Sequence, residues 1–190
     1  MKSIENHIFC LVGPSGVGKT SIARAMLFPQ VLFNLTRPMR PGEVDGQDSH
    51  FISMEEYKQK EPDMIAQTFY ANNYYGITQA EIFELEESPM ICIADIDVVN
   101  QLRNSLKKLT GYEHTKVVSI FIDSEEEELA ARMRRQGRSE EEIDIRLNRL
   151  NLDYASKEKM DYIVVNREGS LDVTIKEIYE IICKETWEVK

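Results

Sequence analysis

The sequence predicts an α/β fold, a parallel-sheet core with helices on both faces. Three observations carry that prediction. Short apolar runs, partly β-branched, occur at residues 8–12, 90–94, 117–122 and 162–165. They have the length and character of strands covered on both faces. Stretches with apolar residues at helical spacing follow them, and strands alternating with helices imply parallel pairing through crossovers. Two segments, 32–87 and 124–152, interrupt the alternation. A chain of 190 residues has the size of one domain with small insertions, so the core falls to 1–31, 88–123 and 153–190.

In chain order, the first strand holds Ile8, Phe9, Cys10, Leu11 and Val12 and feeds Gly13-Pro14-Ser15-Gly16-Val17-Gly18-Lys19-Thr20. A helical pattern follows over 19–28. The octapeptide satisfies G-x-x-x-x-G-K-[ST] at every fixed position, between a strand and a helix, where a phosphate-binding loop (P-loop) belongs. Its glycines let backbone N–H groups point inward at phosphate oxygens. The helix N-terminus adds its dipole. Lys19 supplies a mobile positive charge for β- and γ-phosphates, and the Thr20 hydroxyl can ligate Mg²⁺.

Residues 32–87 contain Pro38, Pro41, Gly42 and Gly46, a strand ending at Phe51, and capping boxes at Ser53 with Glu56 and Thr78 with Glu81. This pattern predicts a small α+β insertion. Arg37 and Arg40 stand three apart in its Pro- and Gly-punctuated loop. Guanidinium groups match phosphate oxygens bidentately and stay charged. The second strand ends in Asp95-Ile96-Asp97, and ligands in such sheets bind outside the carboxyl ends of strands. Asp95 is therefore a candidate for the Mg²⁺ shell, directly or through water, and Asp97 for the acceptor side. Val98, Leu102, Leu106 and Leu109 mark the next helix. In the charged segment, Ser124 with Glu127 and Ser139 with Glu142 predict two helices joined around Gly137. Leu171, Ile175, Ile178 and Ile182 mark a C-terminal helix.

Composition bounds the rest. A net charge of −10 disfavours a broad nucleic-acid or anionic-membrane surface, while a local positive cluster can still hold a small anion. Cys10, Cys92 and Cys183 have an odd count and no C-x-x-C spacing, so neither a disulfide framework nor a zinc site is indicated. No run reaches the ~18 apolar residues of a membrane span, and glycines end the first apolar run too soon for a signal peptide. The expectation is a cytoplasmic monomer or homodimer without nucleic-acid or membrane partners.

Over nearly its whole length the chain resembles the guanylate kinase family. The marks are the Gly13–Lys19 loop, Thr36-Arg37-Pro38-Met39-Arg40-Pro41-Gly42-Glu43-Val44-Asp45-Gly46, Asn73-Tyr74-Tyr75-Gly76, Asp95-Ile96-Asp97, the basic segment 132–146 and Asp161-Tyr162-Ile163-Val164-Val165-Asn166. The resemblance implies phosphorylation of a nucleoside monophosphate by ATP with Mg²⁺. It makes 32–87 the monophosphate-binding region and 124–152 a lid. Lys19 and the loop, with Asn166, would bind ATP. Arg37, Arg40 and Tyr75 would hold the acceptor phosphate. Arg132 and Arg146 would close over the transferring group, where cations stabilise charge and closure excludes water. The lid departs from the family at Gln136-Gly137, where Arg-Gly is usual, and it is one residue shorter before Arg146. Arg135 or Arg138 could substitute there. Arg134 and Arg149 read as solvated helix residues.

The base pocket departs further. Phe33 stands where the family has a serine, Ala66 where a glutamate accepts guanine donors, Ser49 where a tyrosine stands, and Ile77 where a serine stands, with Thr78 next to it. The phosphate-gripping residues persist while the base-reading ones do not, so an altered base preference is expected. Three alternatives stand beside this. A shifted register would let Gln67 or Asn72 read guanine. A non-catalytic guanylate-kinase-like module would bind protein in the acceptor groove. A related kinase would act on a phosphorylated sugar.

Overall fold

The computed structural model describes residues 6–83 and 89–187. The expected boundary at 87/88 and the outermost ends of the core segments lie outside them. The elements run β1 (His7–Val12), α1 (Lys19–Ala25), β2 (Asn34–Leu35), β3 (His50–Phe51), α2 (Met54–Lys60), β4 (Met64–Tyr70), β5 (Asn73–Thr78), α3 (Ala80–Phe83), β6 (Met90–Ile93), α4 (Ile96–Leu106), β7 (Lys116–Asp123), α5 (Glu126–Arg135), α6 (Glu140–Leu147), α7 (Leu150–Tyr154), β8 (Tyr162–Val165) and α8 (Leu171–Trp187). The four apolar runs form one sheet in the order β6-β1-β7-β8, and the insertion forms a second in the order β3-β2-β5-β4. β7 and β8 pair in parallel, Ile120 opposite Tyr162.

Several expectations need correction: α4 ends at Leu106, short of Leu109. β8 is not covered on both faces. It is the last strand of its sheet, and Ile163 and Val165 stay 45% and 40% exposed while Val164 is buried. The first helix stops at Ala25, because Met26 turns to extended backbone. Ser124 does not cap α5; its hydroxyl donates to Glu128 at 2.7 Å and the helix starts one residue later, with Glu125 at the cap. Ser53 forms the full capping box of α2, and Ser139 caps α6. The buried stripe of α8 is Thr174, Ile178, Ile181 and Ile182.

The chain packs as two compact units. One comprises Met1–Ile8, Pro29–Cys92 and Ile96–Val117; the other Phe9–Phe28, Ile93–Asp95 and Val118–Lys190. Helices α5 to α7 thus group with the glycine-rich loop, and α4 groups with the inserted sheet. The second grouping has a local cause. The Gln101 side chain bonds both the N–H and the carbonyl of Gln67, and the Ser105 hydroxyl donates to the Ile65 carbonyl. A helix side chain thereby satisfies the open edge of β4.

The register of the inserted sheet decides which side chains share a face. Leu35 lies opposite Tyr75, Asn34 opposite Gly76, and Ala66 opposite Ile77. Alternation along the strands then puts Phe33, Leu35, Ala66, Tyr75 and Ile77 on one face, and Asn34, Gln67, Gly76 and Thr78 on the other. Ala71 and Asn72 turn the β4–β5 hairpin with φ of 48° and 60°, the two-residue turn that matches strand twist.

Candidate nucleotide-binding site

In the second unit, the octapeptide leaves β1 and enters α1. Gly13 and Gly18 cannot carry side chains. A Cβ on Gly13 would collide with the Ile122 carbonyl, and one on Gly18 would lie 2.6 Å from Asn166 Nδ2, both at positive φ. The Lys19 ammonium donates to the carbonyls of Gly13 at 2.6 Å and Pro14 at 2.9 Å. Burial lowers its pKa to about 8; Asp153 pulls it back up and Arg146 pushes it further down. Thr20, in the first turn of α1, is exposed, and so is Asp95, two residues after β6.

Two lid arginines reach the loop. Arg146 donates to Ser15 Oγ at 2.8 Å, and Arg132 to the Val17 carbonyl at 3.2 Å and the Asn166 carbonyl at 2.8 Å. Carboxylates orient both: Glu142 holds Arg146, while Glu128 and Glu168 hold Arg132. Asn166 is a buried strut. Its Nδ2 donates to the Val17 carbonyl at 2.7 Å and its Oδ1 accepts from the Thr174 hydroxyl at 3.0 Å. It therefore shapes the loop from beneath, with both ends of its amide engaged. Of the two candidate substitutes in the lid, Arg138 is 19% exposed and shares Glu142 with Arg146, whereas Arg135 is 59% exposed and pairs with Glu168. Arg134 pairs with Glu140 at the surface.

Sequence reasoning missed Asp153. Burial raises its carboxyl pKa, the charges of Lys19 and Arg149 lower it, and Asp95 raises it. Asp153 thus belongs electrostatically to the loop lysine and to the strand-end aspartate. Its one sequence signal is its place seven residues after Arg146, two helical turns if the helix were continuous.

In the first unit, Arg37 and Arg40 lie in the loop between β2 and β3. Arg37 is held by Glu43 through Nη1 at 2.7 Å and Nη2 at 2.5 Å. Burial works against its charge, but the Glu43 hydrogen bond and charge, aided by Tyr75, hold its pKa above the ordinary value. The Arg40 side chain is exposed, as is Asp97 at the start of α4. The Phe33 and Tyr75 rings meet edge-on at 6.5 Å. Ala66 and Ile77 are buried, and Ser49, also buried, donates to the Asp48 carbonyl.

Thr78 is not with this group. It lies on the opposite face, where its N–H and hydroxyl both donate to Glu81. Glu81 also takes Asn34 Nδ2 at 2.7 Å. Gln67 is engaged there as well, accepting from the Tyr57 hydroxyl at 3.3 Å, and Asn72 is in the hairpin turn. Neither Gln67 nor Asn72 shares the face of Phe33 and Ala66.

The family model described as guanylate kinase matches residues 5–185. The chain belongs to the guanylate kinase family. The guanylate kinase of Prochlorococcus marinus subsp. pastoris is 31% identical over 191 residues, covering 96% of this chain and 99% of that protein. That of Colwellia psychrerythraea is 33% identical over 189 residues, covering 90% and 84%. The crystal structure of guanylate kinase from Anaplasma phagocytophilum superposes with a TM-score of 0.74 at 22% identity, over all of this chain and 90% of that one. This member of the family is an ATP-dependent nucleoside monophosphate kinase, a phosphotransferase. Among the described residues, no helix is long and apolar enough to cross a membrane.

Proposed function

We propose that this kinase transfers the γ-phosphoryl group of Mg·ATP to a nucleoside 5′-monophosphate whose base is not guanine. The loop amides from Gly13 to Thr20, with Lys19, hold the ATP phosphates. Arg132 and Arg146 neutralise charge as the phosphoryl group moves, and Arg37, Arg40 and Tyr75 hold the acceptor phosphate. The acceptor's own phosphate oxygen is the nucleophile, so positioning and charge neutralisation suffice and no protein base is required.

The residues suit Mg²⁺. A magnesium site in such enzymes uses one or two carboxylates plus substrate phosphates, and the exposed Thr20 and Asp95 are the oxygen donors this unit offers for one. Thr20 and Asp95 would hold the ion, which would supply positive charge to offset the charge developing on the transferring group.

One observation carries the base assignment: Phe33, Ala66 and Ile77 fall on one face beside Tyr75. The relatives named above are guanylate kinases by name. Here, at the three positions on that face where the family carries polar base-reading side chains, stand an aromatic ring, a methyl group and an aliphatic chain. Thr78 and Gln67 on the other face, and Asn72 in the hairpin turn, support this reading. Each polar group buried without a partner costs about 1–3 kcal/mol. Two unmet guanine donors should weaken GMP use about 10²-fold or more. An apolar-faced pocket favours a pyrimidine or a modified deoxynucleotide.

Steady-state kinetics with a panel of ribo- and deoxynucleoside monophosphates tests this. A non-guanine acceptor should give the highest kcat/KM. A clear GMP preference over every other acceptor overturns the base assignment and leaves the kinase reading standing.

A further inference from the structure

The Arg37 loop carries a carboxylate that phosphoryl transfer does not obviously need. The two oxygens of Glu43 take Nη1 and Nη2 of Arg37, and Oε2 also accepts the backbone N–H of Arg40 at 2.8 Å. The Glu43 N–H donates back to the Arg40 carbonyl at 3.1 Å, and Gly42, at φ 82°, makes the reversal possible. One carboxylate therefore closes residues 37–43 into a ring. Arg37 and Glu43 side chains are 13% and 19% exposed. The Phe51 ring lies 5.3 Å from the guanidinium carbon, and the Pro38 carbonyl accepts from Nη1 at 2.9 Å.

Arginine has five N–H donors in a fixed fork. Glu43 and Pro38 occupy both on Nη1, and Glu43 takes one on Nη2. The Nε–Nη2 edge remains, itself a complete fork for two phosphate oxygens. A phosphate on that edge need not expel Glu43. A phosphate on the Nη1–Nη2 edge would leave a half-buried carboxylate without its partner.

Building on the reading that Arg37 and Arg40 hold the acceptor phosphate, we propose that Glu43 is a positioning residue for the acceptor. It grips one edge of Arg37 so that the other is presented at a fixed angle, and through the Arg40 N–H it fixes the spacing of the two arginines. Its effect belongs to acceptor binding and passes through Arg37.

The test is steady-state kinetics of Glu43→Gln, Glu43→Asp, Arg37→Ala and the Arg37→Ala/Glu43→Gln double variant. The acceptor with the highest kcat/KM in the panel is varied at saturating ATP, and thermal melts check folding. Misplacing a binding group by about an ångström costs up to ~10²-fold, so Glu43→Gln should raise acceptor KM by about 10-fold or more. The ATP KM and kcat should move by less than about 2-fold, and Glu43→Asp, which keeps the charge, should cost less. On the Arg37→Ala background, Glu43→Gln should add nothing. A fall in acceptor KM would show the carboxylate competing with phosphate and overturn the proposal. So would an unchanged KM, or a full additive effect without Arg37. If Glu43→Gln fails to fold, the Glu43→Asp rise in acceptor KM, with ATP KM unmoved, decides the same question. If Arg37→Ala itself leaves acceptor KM unchanged, the acceptor-phosphate reading fails first and takes the role of Glu43 with it.

Discussion

Lys19 shows how a single residue is tuned by what surrounds it. Its ammonium is tucked against two loop carbonyls, and burial lowers its pKa to about 8. An unfolded lysine keeps its proton to about 10.4. Between these values the unfolded chain binds the extra proton, so this group makes stability rise with pH across that window. Below it both states are protonated, and the buried charge is a standing cost. Replacing Lys19 by Met removes that cost while ending phosphoryl transfer. The variant's melting temperature, measured relative to the unmodified protein, should therefore be highest near pH 7 and lose ground as pH rises from 8 to 10. A difference that is flat with pH would contradict the lowered pKa. A nucleotide brings negative charge to Lys19 and should restore its proton. Calorimetry of ATP binding at pH 8, repeated in buffers of different ionisation enthalpy, should register proton uptake.

The loop around Lys19 was legible in the sequence because its motif is contiguous within eight positions, although Asn166, which braces it from beneath, follows a distant strand. Asp153 was not, because a helix break separates it from the arginine whose spacing would have flagged it. The role of Glu43 leaves no mark in the sequence, since only the folded loop brings its carboxylate onto Arg37.

At the scale of elements, what could be read was what is local. Ser53 and Ser139 cap helices as their spacing predicts, because an i to i+3 bond needs nothing from elsewhere. Ser124 had the same spacing but also met Glu128 one residue further on, and its hydroxyl went there. The exposed face of β8 was illegible because Tyr-Ile-Val-Val reads alike at an edge and at a centre. Thr78 was misplaced for a related reason. One position along a strand is the opposite face, and only the β2–β5 register fixes which face that is.

That opposite face holds a buried polar knot: Glu81 receives Asn34 Nδ2, the Thr78 N–H and the Thr78 hydroxyl. Glu81→Ala would leave several buried donors unmatched, at about 1–3 kcal/mol for each such group. With three such donors, urea denaturation should show a loss of about 3 kcal/mol or more. Glu140→Ala, which removes an exposed pair with Arg134, should leave the urea midpoint close to that of the unmodified protein. Equal losses in the two variants would mean that Glu81 contributes no more than a surface carboxylate.

For the whole molecule, the proposed function asks an acidic chain to meet two polyanions with local clusters of cations. Those clusters are divided between the packing units: Lys19, Arg132 and Arg146 belong to one, Arg37 and Arg40 to the other. The sequence anticipated the core sheet and a small α+β insertion but not α7 or the strands β2, β4 and β5, and the bonds from Gln101 and Ser105 to β4 leave no mark in a hydrophobic pattern. The division has a consequence that amide hydrogen exchange can read. A non-hydrolysable ATP analogue should slow exchange at 13–20 and around Asn166, because ligand binding lowers the population of open states. A monophosphate acceptor should instead protect 36–46 and the neighbourhood of Tyr75. At 100 times its Kd, each ligand adds about 2.7 kcal/mol to the stability of what it binds, enough to slow exchange about 100-fold where opening is coupled to release. Acceptor protection confined to 13–20 would place the monophosphate on the ATP loop and contradict the assignment of Arg37 and Arg40. Protection of 36–46 by a pyrimidine monophosphate but not by GMP, at equal concentration, would locate the altered base preference in the inserted sheet without any turnover being measured.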